Sequence, residues 1–326
     1  MAQTESQLEI YKIILGRKTV RQIIREKAEA DEITINTDIE YSNYLFRKLL
    51  NKLTEDATWT SDKTKLGLSL FVNEGEDVNT ILSNHSEQNC IEGFVNGGPY
   101  DKIKTIARTT DVSQREQLGR DKMVTERFYM YLHLPLGSKI GLLLIEKKGS
   151  LKISSAVQFL LIELLKTHRS AVKFERFVPS SLIEEYKNGS VVDTLTFTDY
   201  MTTSVVDEEG EDPIEKQYGI SIKITPPNED KTDFDLVNNM LHALRGASMK
   251  LGLVTKRLSE FSRKNGTLKK ENKSYSFSLG NDLKIKPIIE IEDRFQDAEL
   301  GTLKRVDIKS MCDELLGQIR HEIYTV

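Results

Sequence analysis

The chain is short of the residues that usually announce a function. It has two cysteines, Cys90 and Cys312, far apart in 326 residues. That is too few for a disulfide framework, and no Cys/His cluster has metal-ligand spacing. A reducing cytoplasm is the expected setting. Cys312 falls in an apolar helical run and reads as a buried thiol. Long apolar runs are absent too: the strongest, Ile140 to Ile145, is far below the roughly 20 residues that span a bilayer. The opening MAQTESQLEIYK lacks the basic start and apolar stretch of a signal peptide. No membrane partner is expected. Neither sign of charge dominates, with 46 Lys+Arg against 50 Asp+Glu and a net charge of -4. Blanket adhesion to nucleic acid is therefore excluded, and any polyanion site must be a local patch.

Catalytic fingerprints are equally scarce. There is no G-x-S-x-G, no Walker A sequence and no G-x-G-x-x-G. Gly97-Gly98, inside Asn96-Gly97-Gly98-Pro99, reads as a turn. The five histidines are His85, His133, His168, His242 and His321, and no pair has the i, i+4 spacing of a helical metal site. His133 alternates with apolar residues and reads as a satisfied strand residue. No metal site and no cofactor is expected.

What the chain does have is an ordinary globular composition, 38% hydrophobic and 29% charged. Its length suggests two domains, or one large one. Asp38 is the expected N-cap of a helix carrying Tyr41, Leu45, Leu49 and Leu53. Met123 to Leu134 and Ile140 to Lys147 read as strands joined by Pro-Leu-Gly-Ser-Lys, a hairpin-length connection. A helix capped by Ser154 or Ser155 follows, apolar on so much of its surface that it must be buried on more than one side. Val191 to Phe197 and Gly219 to Ile224 read as strands, and Asp233 to Leu244 as a helix. Between the two strands, Asp207, Glu208, Glu209, Glu211, Asp212 and Glu215 cluster around Gly210 and Pro213. Such a run suggests a solvated loop, here taken as the domain boundary. The expectation is an α+β protein with mixed, mostly antiparallel sheets. It would have an N-terminal lobe over 1–206, an acidic linker or loop over 207–216, and a C-terminal lobe over 217–326.

Two places suggest chemistry. Glu146 and Lys148 stand at the end of a central strand. Divalent-metal nucleases place Glu-x-Lys there, with a second acid on the neighbouring strand to share Mg²⁺. A hairpin turning near Gly137-Ser138 sets Glu146 opposite Tyr129 and Lys148 opposite Arg127, neither of them acidic. Asp121 has the right parity but lies roughly 26 Å along the strand. The nuclease, with Mg²⁺ as its only cofactor, is thus the alternative reading.

The second place is KRLSEFSRKNGTLKKENK, Lys256 to Lys273. Asn265-Gly266 at its middle favours a type I′ turn. That predicts a β-hairpin whose tip gathers Arg263, Lys264, Lys269, Lys270 and Lys273, with Lys256 and Arg257 nearer its base. Such a tip would contact DNA or RNA phosphates. Five contacts would give a log-log salt slope of roughly -4 to -5, with weak sequence specificity. The bland reading is a lysine-guarded sheet edge. A third option docks the tip on the acidic stretch. The chain ends in an amphipathic helix, about Asp307 to Tyr324, with Ile308, Met311, Leu315, Ile319 and Ile323 on one face. That face either covers the protein's own sheet or, through Met311, Leu315 and Ile319, forms a homodimer or partner seam.

The stretch YLHLPLGSKIGLLLIEKKGSLKISSAVQFLLIELLK, with FVPSSLIEEYKNGSVVDTLTF after it, resembles poorly characterised bacterial proteins encoded near antiphage or mobile-element genes. The matching pieces are the Leu142-to-Glu146 strand, the helix after Ile153, the Val178-Pro179 junction and Lys187-Asn188-Gly189. The resemblance implies a component of a multi-protein defence system and brings no catalytic residues. The expected function is therefore a cytoplasmic, non-catalytic binding or scaffold component. The alternatives are the nuclease and a protein-binding adaptor assembling through the last helix.

Overall fold

A computed structural model of the chain describes residues 6–54, 59–71, 77–101, 104–107, 115–119, 122–148, 151–168, 170–187, 191–205, 214–225, 247–251, 254–270, 273–279, 285–286, 289–291, 293–297 and 302–324. The fold is α+β with antiparallel sheets. The elements used below run in chain order as follows. First come β1 (Ser6–Ile14), α1 (Val20–Ala30), α2 (Asp38–Thr54), β2 (Trp59–Ser61), β3 (Leu66–Ser69), β4 (Leu82–His85) and β5 (Cys90–Pro99). Then come β6 (Glu126–His133), β7 (Ile140–Lys148), α3 (Ser154–Leu165), β8 (Lys173–Arg176), α4 (Ser180–Lys187), β9 (Val191–Val205) and β10 (Ile214–Ile224). The last are β11 (Ser248–Leu251), β12 (Val254–Arg257), β13 (Arg263–Lys270), β14 (Lys273–Leu279), β15 (Ile285–Lys286), β16 (Ile289–Glu290) and α5 (Arg305–Tyr324).

Two compact units result, and their division differs from the expected one. Unit 1 joins Met1–Phe177 to Ile289–Val326, and unit 2 is Val178–Ile288. The terminal helix therefore belongs with the N-terminal part of the chain. The acidic residues 207–213 lie outside the described residues. Val205 pairs with Ile214, and β9 and β10 stay paired to Leu195–Ile224. The strands on either side of residues 206–213 thus belong to one sheet of unit 2. The helix expected over Asp233–Leu244 lies outside the described residues.

Unit 1 is a sheet in the order β8-β1-β7-β6-β5-β3-β2, with β16 beside β1 and β4 beside β5. Helices α2 and α3 pack on β3, α3 also reaches β2 and β7, α1 packs on α2 and α3, and α5 packs on β6 and β7. β6 shows why its sequence carries no polar alternation. Leu132 joins Val20, Ile24 and Leu45 of α1 and α2 in one lining. Tyr131 and His133, of the other parity, bond to Asp313 and Tyr324 of α5. Both faces are covered, so both parities are buried. α1 opens on a capping box in which Thr19 and Gln22 satisfy each other's backbone N–H groups. α2 is capped by Thr37, whose Oγ1 accepts from Glu40 N while Glu40 Oε2 accepts from Thr37 N. Asp38, the expected cap, is the first helical residue and pairs with Arg21. α3 begins at Ser154, so neither expected serine caps it; the cap position is Ile153, which offers no side-chain hydrogen bond.

Gly97 and Gly98 lie inside β5, not in a turn. A Cβ on Gly97 would stand 2.8 Å from Ile153 Cγ2, and one on Gly98 1.9 Å from the Val124 carbonyl oxygen. The glycines admit close neighbours; they do not bend the chain.

Unit 2 is a five-stranded antiparallel sheet, β10-β9-β13-β14-β15, beside the two-stranded β11-β12. One face carries Leu195, Phe197, Leu268, Phe277 and Leu279, all buried. Phe261 meets Phe197 edge-on at 6.3 Å. Among the described residues no helix is long and apolar enough to cross a bilayer.

Candidate functional site

The two places where the sequence suggests chemistry have opposite fates. β6 and β7 pair Met130 with Ile145 and His133 with Leu142, which sets Glu146 against Tyr129 as the hairpin connection predicts. Glu146 is only 1% exposed. Ser6 Oγ donates to its Oε1 at 2.8 Å, and the Tyr129 backbone N–H donates to its Oε2 at 2.9 Å. Lys148 Nζ lies 3.9 Å from Oε1 and over the Phe128 ring. Burial pushes the Glu146 carboxyl above its usual range, against the pull of Lys148 and the two hydrogen bonds. Both oxygens are thus occupied inside the protein, and no carboxylate faces Glu146 across the hairpin. Asp121 lies outside the described residues. Among the described residues no group of three or more His, Cys, Asp or Glu could hold a metal. The arrangement ties β1, β6 and β7 together; it does not present a cation site.

The basic segment folds differently from the expected hairpin. Asn265 and Gly266 sit in the middle of β13, paired with Thr196 and Leu195 on one side and with Ser278 and Phe277 on the other. The reason is Phe277: a Cβ on Gly266 would lie 2.2 Å from its Cζ. The glycine makes room for a cross-strand ring, and that tertiary contact outweighs the local preference of Asn-Gly for a turn. The connection instead follows Lys270, which stands opposite Lys273.

The seven cations consequently separate. Lys269, Lys270 and Lys273 are at the connection between β13 and β14. Arg263 is at the other end of β13, roughly 23 Å away along an extended strand. Arg263 and Arg257 are exposed. Lys264 is not: it is 7% exposed, and its Nζ donates to the carbonyls of Ser259 at 2.8 Å and Phe261 at 2.9 Å. It holds the 3-10 turn Leu258–Glu260 onto the sheet. Lys256 is also engaged, paired with buried Asp199 and set over the Phe261 ring. Two of the expected phosphate ligands are therefore structural, and five remain.

The terminal helix resolves as a cover for its own sheet. Ile308, Cys312, Ile319 and Ile323 are fully buried, and Met311 and Leu315 pack partly buried against the same core. Ile319 is thus not available to the homodimer or partner seam expected over Met311, Leu315 and Ile319.

The sequence reading missed the most connected charge of unit 1. Glu92, buried in β5, accepts from Arg305 Nη2 at 2.8 Å, from Tyr129 Oη at 3.0 Å, and lies 3.0 Å from His85 Nε2. Arg305 also donates to the Asn79 and Thr80 carbonyls and to Ser83 Oγ. This locks the start of α5 to β4 and β5. A lone acid in the apolar run Cys90 to Val95 was the available signal. His133 Nδ1 lies 2.6 Å from the Tyr324 hydroxyl, and burial, with Arg320 nearby, lowers its pKa to about 4. Burial raises the Cys90 thiol to about 12 and Cys312 well above its usual value. Neither is poised as a nucleophile.

The chain matches no protein-family model, no curated protein and no solved structure.

Proposed function

We propose that the protein is a non-catalytic binding component that holds nucleic-acid phosphates, of DNA or RNA, on unit 2. The observation that carries this reading is the gathering of Lys269, Lys270 and Lys273 at one strand connection; Arg263, at the far end of β13, and Arg257, on the separate two-stranded sheet, are exposed. Among the described residues no ion pair involves either arginine. Cations placed this way are worth little to stability and much to an anionic partner. The buried state of Glu146 supports a non-catalytic reading over the Mg²⁺ nuclease. Work in the cytoplasm, in a multi-protein antiphage assembly, is the setting suggested by the resemblance and by the two unpaired thiols.

Fluorescence anisotropy with labelled single-stranded and duplex DNA and RNA across a salt series, with Mg²⁺ present, tests the reading. Binding that weakens steeply with salt, and flattens in Lys269→Glu/Lys270→Glu, is expected. Intact, unbound probe at low salt would overturn it, and cleaved probe would restore the nuclease.

A further inference from the structure

We infer that the open edge of β10 is a homodimer seam, at which two copies of the chain pair β10 with β10, antiparallel, about Gly219. The unit-2 sheet ends at β10. This strand bonds to β9 from Ile214 to Ile224 and, among the described residues, to no strand on its other side. Its 11 residues span roughly 36 Å. The register with β9 runs from Leu195 to Val205 without a bulge. An edge of this length offers a row of backbone N–H and C=O groups to another strand. Proteins that stay monomeric usually shorten, bend or cover such an edge.

The register shows what this edge still needs. In β9, Leu195 and Phe197 are both 0% exposed. Ile224 and Ile222 stand opposite them on the same face, and Ile220 follows with the same parity. All three isoleucines are nevertheless only half-buried. A neighbouring strand that brings apolar residues to this face would complete the row. Ser221 and Lys223, of the other parity, are exposed.

The sequence of β10 itself says which strand fits. A two-fold axis perpendicular to the sheet keeps each face on its own side, so it pairs residues of equal parity and must pass through a residue position. Gly219 is the middle residue of β10. With the axis there, every residue of the strand has an opposite number. Lys223 stands opposite the partner's Glu215, and the symmetry repeats this pair at the other end. Ser221 stands opposite the partner's Gln217. In the apolar row, Ile224 meets the partner's Ile214 and Ile220 meets the partner's Tyr218. Ile222 faces the partner's Lys216, the one charged position in that row. Moving the axis to Tyr218 or Ile220 takes Lys223 off Glu215 and sets each of them against an uncharged residue. Opposite charges directly across an antiparallel pair attract, and like charges repel. An acid and a base four residues either side of one central glycine are the pattern that a second copy, and not an unrelated strand, would answer.

The seam does not depend on the phosphate reading, and its test contains no nucleic acid. Sedimentation equilibrium of the full chain is run across the micromolar range, with circular dichroism confirming that each variant folds. A single strand pair is a small interface, so a weak dimer in equilibrium with monomer is expected. Lys223→Glu sets acid against acid at both ends of the seam, and Glu215→Lys sets base against base. Each should weaken dimerisation about tenfold, because two pairs turn from attraction to repulsion. Mixing the two variants should restore it, because the mixed dimer again has an acid opposite a base at both ends. Monomer at every concentration would overturn the seam, the result expected if the protein's own chain covers this edge. A dimer unchanged by both reversals, or one that the mixture fails to restore, would place self-association elsewhere and overturn it too. Assembly that grows past the dimer would overturn the two-fold pairing.

Discussion

Glu92 and Lys264 are buried charges on central strands, one in each unit, and they are neutralised in different ways. Glu92 meets Arg305, Tyr129 and the His85 ring, side chains drawn from three separate segments. Lys264 meets two backbone carbonyls only three and five residues away. The first arrangement fixes tertiary structure, because removing either partner strands the other in the core. The second fixes a local turn. The remaining charges follow the same division. Unit 1 turns Glu146 inward and satisfies it, whereas unit 2 leaves Arg257, Arg263 and Lys223 exposed. A charge that is satisfied inside a protein has little left to offer a ligand, and an exposed one contributes little to the fold. On the proposed reading binding falls to unit 2, while the buried carboxylates of unit 1, Glu92 and Glu146, are engaged within the fold.

The difference can be broken first at Arg305. Arg305→Ala leaves the Glu92 carboxylate buried without its cation, which typically costs about 3–5 kcal/mol. The chain's single tryptophan, Trp59 in β2, reports on unit 1. Urea unfolding followed by its fluorescence should show a correspondingly lower midpoint. A loss below about 1 kcal/mol would mean the network is solvated, as surface pairs are.

His133 gives the next largest effect. Its folded pKa is about 4 against 6.5 for the free side chain, so the unfolded chain takes up a proton first as pH falls. Its contribution is fully present above pH 6.5 and is lost progressively as pH drops through 4. The total is about 3 kcal/mol at 1.36 kcal/mol per unit. His133→Gln should flatten the stability curve between pH 4 and 6.5. An unchanged slope would assign the acid sensitivity to other groups.

Unit 2 should break at a glycine. Gly266→Ala pushes a methyl into the Phe277 ring, and overpacking of this kind costs about 1–3 kcal/mol. Faster hydrogen exchange in peptides covering β13 and β14 is the expected result. Protection equal to wild type would place Asn265-Gly266 in a solvent-exposed turn after all. The smallest effect is expected at Glu146. Its folded pKa is raised, so its stabilising contribution is complete below the unfolded value and fades as pH rises through the folded one. Glu146→Gln, which cannot ionise, should therefore gain on wild type as pH climbs from 4 to 7, within about 1–2 kcal/mol. A gain that runs the other way would show that the carboxylate is stabilised by Lys148 more than it is penalised by burial.

Much of the fold was legible where local and long-range signals agree. The Pro135–Lys139 connection fixes the β6-β7 register, and the placement of Glu146 opposite Tyr129 follows from counting residues. The apolar stripe of α3 and the covering role of α5 follow from periodicity. The failures share one cause. Asn265-Gly266 and Gly97-Gly98 both carry strong turn signals, yet both glycines serve a neighbour that arrives from elsewhere in the chain, Phe277 in one case and Val124 in the other. Turn propensity is local and says nothing about such neighbours. α1 was missed although Thr19 and Gln22 form its capping box. Of the candidate site, the composition of Lys256–Lys273 was readable, but its spatial division was not. Which lysines are structural depends on Asp199 and on the carbonyls of Ser259 and Phe261, and no spacing rule reveals those partners.

The most direct test of this division of labour is hydrogen exchange on the full chain with and without a saturating nucleic-acid duplex. The account predicts slowed exchange in peptides covering β9, β13 and β14, and unchanged exchange across β5, β6 and β7. Protection confined to peptides of unit 1, with β13 and β14 unaffected, would contradict it.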